Sequence, residues 1–257
     1  MDLKTTLLAA FIILGVAGCS TPTAQKTLVA SGHPDWPPVM FEDKGQIDGV
    51  GPALEKKIFA DLGIPAVFPS EGAWDVVQAK ARSGEVDVLV AAYKTTAREE
   101  YMVYCDTYIT DPLVLFVRKG QEFPFSKYQD LVDKTGVGTV GDSYGQNFDN
   151  YIQAHLKFIW VNTSKEALDA VESGKADYYI YSLYSGHEEL KSENRMAEFS
   201  TLPQVVAEEP FYMTISKKSP YVKYAPEINR LMQKYKDDGT VAQLITKYKA
   251  QFMLDQK

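Results

Sequence analysis

Short apolar runs and stretches of helical period alternate along this chain. Runs of strand length occur at 28–32 (LVASG), 66–68 (AVF) and 87–92, separated by helix-like stretches at 51–62 and 73–83. The rhythm then starts again, with strands expected at 136–140, 158–161 and 178–182 and helices at 144–156 and 165–173. Strands alternating with helices predict βαβ units, a mostly parallel sheet and an α/β fold. An internal echo supports two units of similar plan. DVVQAKARSGEVDVLV (75–90) and EALDAVESGKADYYI (166–180) each read as a helix, then Ser-Gly-x-x-Asp, then an apolar strand. Gly84 and Gly174 are expected to end the helices. Two further apolar segments, 111–120 and 209–220, each carry a Pro near the start and read as strands that cross from one unit to the other. Residues 221–252 follow a helical period broken at Asp238-Gly239-Thr240. The expected layout is a discontinuous lobe 1 (27–110 and 209–257) and a lobe 2 (111–208), joined by two crossing strands.

The amino terminus does not belong to this pattern. Residues 7–16, LLAAFIILGV, form an unbroken apolar run, too short for a membrane span of about 20 residues but of the length of a signal-peptide core. Val16-Ala17-Gly18-Cys19-Ser20 follows at once and resembles a bacterial lipoprotein signal, in which cleavage precedes an acylated Cys. Residues 1–18 are therefore expected to be removed, Cys19 to be lipidated and 19–26 to act as a tether. The protein is expected in the periplasm or at the cell surface, held to the membrane by its lipid. An ordinary secretory signal with an incidental Cys is the alternative.

Composition narrows the function. Apolar residues make up 45% and charged residues 24%, which excludes a disordered chain. A formal net charge of −7 argues against a nucleic-acid partner, which needs a basic face. The two cysteines, Cys19 and Cys105, lie in unrelated contexts, so Cys105 is expected to be a lone buried thiol. No His or Cys pair has metal-ligand spacing, and neither Gly-x-Ser-x-Gly nor a phosphate loop occurs. No metal or cofactor is expected.

Six short stretches point further: Trp36-Pro37-Pro38 after the first strand, Ile47-Asp48-Gly49-Val50-Gly51, Trp74-Asp75, Thr95-Thr96-Ala97-Arg98-Glu99, Gly141-Asp142-Ser143-Tyr144-Gly145 and Lys236-Asp237-Asp238-Gly239-Thr240. In this order and spacing the chain, over about residues 27–254, resembles the family 3 extracellular solute-binding proteins, receptors of ABC importers for polar amino acids. The resemblance implies a periplasmic-binding-protein-like fold, a small ligand carrying a carboxylate, an ABC permease as partner, and capture by hinge closure. A monomer is expected.

The resemblance also assigns roles. Arg98, in a segment where Thr96-x-x-Glu99 has capping-box spacing, corresponds to the family's clamp on the ligand carboxylate; the alternative is a surface Arg paired with Glu99 or Glu100. Main-chain N–H groups at Ser143 and Tyr144 are implied to meet the same carboxylate from the other lobe, with Ser143-x-x-Gln146 read as a second capping box. Trp36 and Trp74 match aromatic positions that sandwich the ligand. Three positions depart from the pattern. His33-Pro34-Asp35 and Ser182 (with Tyr181) stand where the family has ammonium-binding Asp residues, and Tyr93 stands where it has Ser or Thr. A carboxylate ligand with a flat body fits these residues, while Asp35 keeps an amino acid open. Tyr93, Ser182 and His33 are thus candidate ligand contacts, and His155 and His187 read as surface helix positions. Two other readings remain: a dehydratase-like enzyme on the same fold, with His33, Asp35 or Glu71 as acid or base, and a ligand-sensing protein. The sequence favours a binding protein with no catalytic residue.

Overall fold

The structure, a computed structural model, describes residues 26–253. The leader, Cys19 and the tether up to residue 25 lie outside the described residues. Lobe 1 is built from strands β1 (Leu28–Ser31), β5 (Ala66–Val67) and β6 (Val88–Ala92) and helices α1 (Val50–Asp61), α2 (Trp74–Ser83) and the one-turn α3 (Thr96–Glu99). A small three-stranded sheet, β2 (Asp35–Trp36), β3 (Met40–Asp43) and β4 (Gln46–Asp48), fills the first connection. Lobe 2 contains β8 (Thr135–Thr139), α4 (Gln146–His155), β9 (Lys157–Val161), α5 (Ser164–Glu172), β10 (Tyr178–Ser182), α6 (Leu183–Ser192) and the short β11 (Phe199–Thr201). Two long strands, β7 (Met102–Arg118) and β12 (Ala207–Ser216), run between the lobes, and α7 (Ala225–Asp237) and α8 (Thr240–Met253) return to lobe 1.

Among the described residues nine strands form one continuous sheet in the order β5-β1-β6-β12-β7-β10-β8-β9, with β11 beside β7. The ladders at both ends are parallel, as the strand–helix alternation predicts, whereas β12 and β7 pair antiparallel to each other and to their neighbours. The crossing segments read at 111–120 and 209–220 overlap the ends of these two strands, which stop at Arg118 and Ser216, and β7 starts nine residues earlier, at Met102. β6 (VLVAA) and β10 (YYIYS) are buried at every position because helices cover both sheet faces.

The repeated Ser-Gly-x-x-Asp has a structural cause. Gly84 caps α2 with φ 89° and Gly174 follows α5 with φ 75°, both left-handed conformations that cost a residue with a Cβ. Each Asp then extends a parallel ladder by one step: Val29 N–H donates to Asp87 Oδ2 (3.0 Å), and Thr135 N–H donates to Asp177 Oδ2 (2.7 Å). Asp87 is wholly buried and also accepts from the Ser219 hydroxyl (2.8 Å), whereas Asp177 is exposed. Removing a buried acceptor strands its donors. Asp87→Ala is therefore expected to cost about 3 kcal/mol and Asp177→Ala about 1 kcal/mol or less, read by urea denaturation.

Helix α6 is not evident from the sequence, because Gly186 in its middle lowers helix propensity. The packing supplies the reason for that Gly: a Cβ there would lie 2.2 Å from the Phe116 ring. His187 on this helix is half-buried against Phe116 and Thr201 rather than on the surface, and burial lowers its pKa; His155 is exposed as expected. Cys105 is buried and unpaired, with its thiol pushed up to about 12 by burial.

Candidate binding site

The carboxyl ends of β6 and β8 and the segments after them meet between the lobes, the usual place for a site on an α/β sheet. Arg98 is placed by α3. The Thr95 hydroxyl, not Thr96, caps this helix by accepting from Arg98 N–H (3.2 Å), so the expected Thr96–Glu99 box does not form. The guanidinium is buried and fixed by three acceptors: Nε donates to Gln78 Oε1 (2.9 Å), Nη1 to the Tyr93 carbonyl (3.0 Å) and Nη2 to the Gly141 carbonyl of lobe 2 (3.2 Å). The Trp74 ring lies under it at 5.4 Å. The surface alternative does not occur: Glu99 pairs with Lys94, and Glu100 lies beside Arg82.

On the facing loop, α4 begins at Gln146 with Gly145 as its cap, so Ser143 and Gln146 do not form a capping box. Asp149 takes that role, accepting from the Ser143 hydroxyl (2.5 Å) and Tyr144 N–H (2.7 Å). Gln146 instead reaches across the cleft, where its Oε1 accepts from Thr96 N–H (2.8 Å). Ser143 lines the cleft. The Tyr144 ring does not; it is buried in lobe 2, parallel to Trp160.

Trp36, Tyr93 and Ser182 converge on a residue that sequence reasoning passed over. Asp111, on the crossing strand β7, accepts from Trp36 Nε1–H (2.8 Å), the Tyr93 hydroxyl (2.7 Å) and the Ser182 hydroxyl (2.8 Å). Burial pushes its carboxyl up to about 6, against the pull of these three donors. A carboxylate at the head of the apolar run DPLVLFV was the available signal. The Trp36 ring packs edge-on against Tyr93, Tyr181 and Phe211, so it forms one wall of the cleft and ties lobe 1 to the hinge strand.

His33 lies between Trp36 (5.2 Å) and Trp74 (5.7 Å). Its Nδ1 accepts from Asp35 N–H (2.9 Å), which assigns the ring proton to Nε2, 3.3 Å from Asp142 Oδ1 of lobe 2. The Asp35 side chain is exposed; its carbonyl accepts from the Tyr181 hydroxyl. Glu71 is held by Lys80. Further bonds cross the cleft from Gln78 to Gly141 (3.0 Å), Ser185 to Pro37 (2.8 Å) and Lys249 to Tyr184 (2.8 Å). The lobes are thus closed on each other. The cavity lined by His33, Trp36, Trp74, Arg98, Asp142 and Ser143 measures about 10 Å³, room for at most one water, so a solute enters this cavity only when the lobes part.

Two α/β lobes, two crossing strands and a buried Arg facing the opposite lobe define the periplasmic-binding-protein type of molecule. Residues 28–251 match the model of the bacterial extracellular solute-binding proteins, family 3, and the chain belongs to that family. It is 29% identical over 163 residues to the putative amino-acid ABC transporter-binding protein PatH of Vibrio harveyi, a match spanning 60% of each chain. It is 24% identical to the L-cystine-binding protein TcyA of Bacillus subtilis, over 82% of this chain and 76% of that one. A mutant of the arginine-binding protein ArgBP from T. maritima superposes with a TM-score of 0.71 at 21% identity, covering 86% of this chain and 94% of the other. Among the described residues no group of His, Cys, Asp or Glu is arranged to hold a metal ion, and no helix is long and apolar enough to cross a membrane.

Proposed function

We propose that this protein captures an amino acid or a related organic acid outside the cytoplasm by closing its lobes and delivers it to an ABC importer. The observation that carries the reading is the buried Arg98, whose planar fork is held rigidly and reaches the opposite lobe. A solute carboxylate replacing the Gly141 carbonyl would gain a charge-assisted, bidentate partner. It would also lie beside the Ser143 loop, so that one group engages both lobes. Relatives named as an amino-acid ABC transporter-binding protein and an L-cystine-binding protein support the same class of solute. Trp36, Trp74, Tyr93 and His33 would form the walls, with Ser182 acting through Asp111 rather than on the solute. Lipidation of Cys19 would keep the protein beside its permease, lobe 1 comprising 27–110 and 209–257 and lobe 2 comprising 111–208. The role is capture without turnover.

A thermal-shift screen of the chain lacking residues 1–18 tests this reading, with L-amino acids, L-cystine and organic acids without an amino group as the panel. A solute at about 100 times its Kd should stabilise by about 2.7 kcal/mol, a shift of several degrees in Tm. A panel in which neither amino acids nor organic acids shift Tm would rule the proposal out.

A further inference from the structure

The two crossing strands are irregular at one level. From β12 to β7 the register runs Phe211 to Ile109, Tyr212 to Thr107 and Thr214 to Tyr104, so β7 carries extra residues between Tyr104 and Ile109. Bulges of this kind interrupt a ladder and let it bend. On one side of them β12 pairs with β6 of lobe 1, and on the other β7 pairs with β10 of lobe 2. Asp111 stands on the lobe 2 side, two residues before Leu113 opens the β10 ladder, and its Oδ1 accepts from the Ser182 hydroxyl at the end of β10 (2.8 Å). Its Oδ2 accepts from two lobe 1 donors, Trp36 Nε1–H (2.8 Å) and the Tyr93 hydroxyl (2.7 Å). One carboxylate therefore holds a lobe with each oxygen. All four residues are buried, so water does not compete, and an ionised acceptor strengthens each bond.

We propose that Asp111 is a positioning residue that latches lobe 2 to the aromatic wall of lobe 1, so that the protein's own bonds favour closure before a solute adds its contacts. Rotation about the bulged stretch carries Asp111 and Ser182 away from Trp36 and Tyr93, so the Oδ2 bonds are complete only when the lobes are together. The Tyr181 hydroxyl, donating to the Asp35 carbonyl, and the Ser185 hydroxyl, donating to the Pro37 carbonyl, lie on the same stretch of lobe 2 and close with it. Tyr93 also links the latch to the clamp, because its carbonyl holds Arg98 Nη1 while its hydroxyl holds Asp111. A solute then meets a closing motion already favoured, and its affinity follows the fraction of molecules that close. The latch rests on the capture reading for its purpose only; its geometry is a property of the chain alone.

Small-angle X-ray scattering without solute tests this, fitted as a mixture of closed and opened forms. The chain lacking residues 1–18 is refolded from urea to strip any carried solute and measured at about pH 7.5, where a carboxyl raised to about 6 is ionised. Wild type should scatter mainly as the closed form. Tyr93→Phe removes one donor to Oδ2 and keeps the ring stacked on Phe211 (4.4 Å); Trp36→Phe removes the other. Each should move the closed-to-open ratio towards open by about 10-fold, with urea unfolding confirming a cooperative fold. Two variants are used so that one that does not fold leaves the other to decide. A wild type that is open without solute overturns the inference whatever the variants do. So does a variant with lowered unfolding free energy and an unchanged closed fraction, which would make the network structural only. Because no solute enters the measurement, either failure leaves the capture reading standing, and a thermal-shift panel without a hit leaves the latch standing.

Discussion

Arg98→Ala is expected to weaken binding of a carboxylate solute by about 2–5 kcal/mol, which removes measurable binding for all but the tightest solutes. The size follows from the environment. The guanidinium is buried under Trp74, so the ion pair it would form is shielded from water and its loss leaves an unpaired carboxylate in a closing cleft. The same change strands Gln78 Oε1 and the carbonyls of Tyr93 and Gly141. It should therefore also lower unfolding free energy, by about 1–3 kcal/mol. Arg98→Lys separates charge from geometry. An ammonium restores the positive charge but not the fork, so binding should recover only in part while the three acceptors stay incompletely served. Calorimetry on both variants, with urea unfolding alongside, checks this. Affinity unchanged in Arg98→Ala would place the anionic end of the solute elsewhere.

Glu55→Leu should stabilise the protein above neutral pH by about 2–4 kcal/mol. Glu55 lies on the inner face of α1, wholly buried, with neither carboxylate oxygen hydrogen-bonded. Burial alone holds its carboxyl well above the ordinary 4.5, so the folded protein keeps the proton. The sign follows from that upward shift. The folded state binds this proton more tightly than the unfolded chain, so the Glu55 contribution to stability is most favourable below about 4.5 and falls as pH rises from there towards the raised folded value. Asp111, raised to about 6, adds a fall of the same sign at lower pH. The comparison that isolates Glu55 is therefore made above pH 6, by urea unfolding of wild type and Glu55→Leu at about pH 6.5 and pH 8.5. Wild type should lose stability over that interval and the variant much less; parallel slopes would mean that Glu55 is ionised and partnered in the folded state.

The elements that were legible share a property: each is set by residues close together in the chain. The parallel strands at both ends, α2 and α5 with their Gly stops, and the break between α7 and α8 all follow from local period and turn chemistry. The little β2-β3-β4 sheet was not legible, because its strands, DW, MFED and QID, mix charged and polar residues with apolar ones and show no apolar run of strand length. Nor was α6, where Gly186 satisfies the distant Phe116 at the expense of local helix preference. Both capping boxes failed for a related reason. A box is a spacing rule: Thr95 caps α3 in place of Thr96, and at α4 Gln146 turns to Thr96 across the cleft while Asp149 serves the Ser143 loop.

The candidate site divides the same way. Sequence alone determined the family and the two-lobed α/β plan and singled out Arg98 as the proposed clamp, because these reside in motifs after strands and in a repeated strand–helix rhythm. Only the tertiary structure decided which side chains meet. It turned Tyr144 into the core of lobe 2, drew Trp36, Tyr93 and Ser182 onto Asp111, and set Asp142 of lobe 2 against His33 of lobe 1. Hydrogen bonds between residues 71 and 75 positions apart depend on how two lobes dock on a hinge, and docking is governed by burial and donor–acceptor matching in three dimensions, which no local spacing encodes.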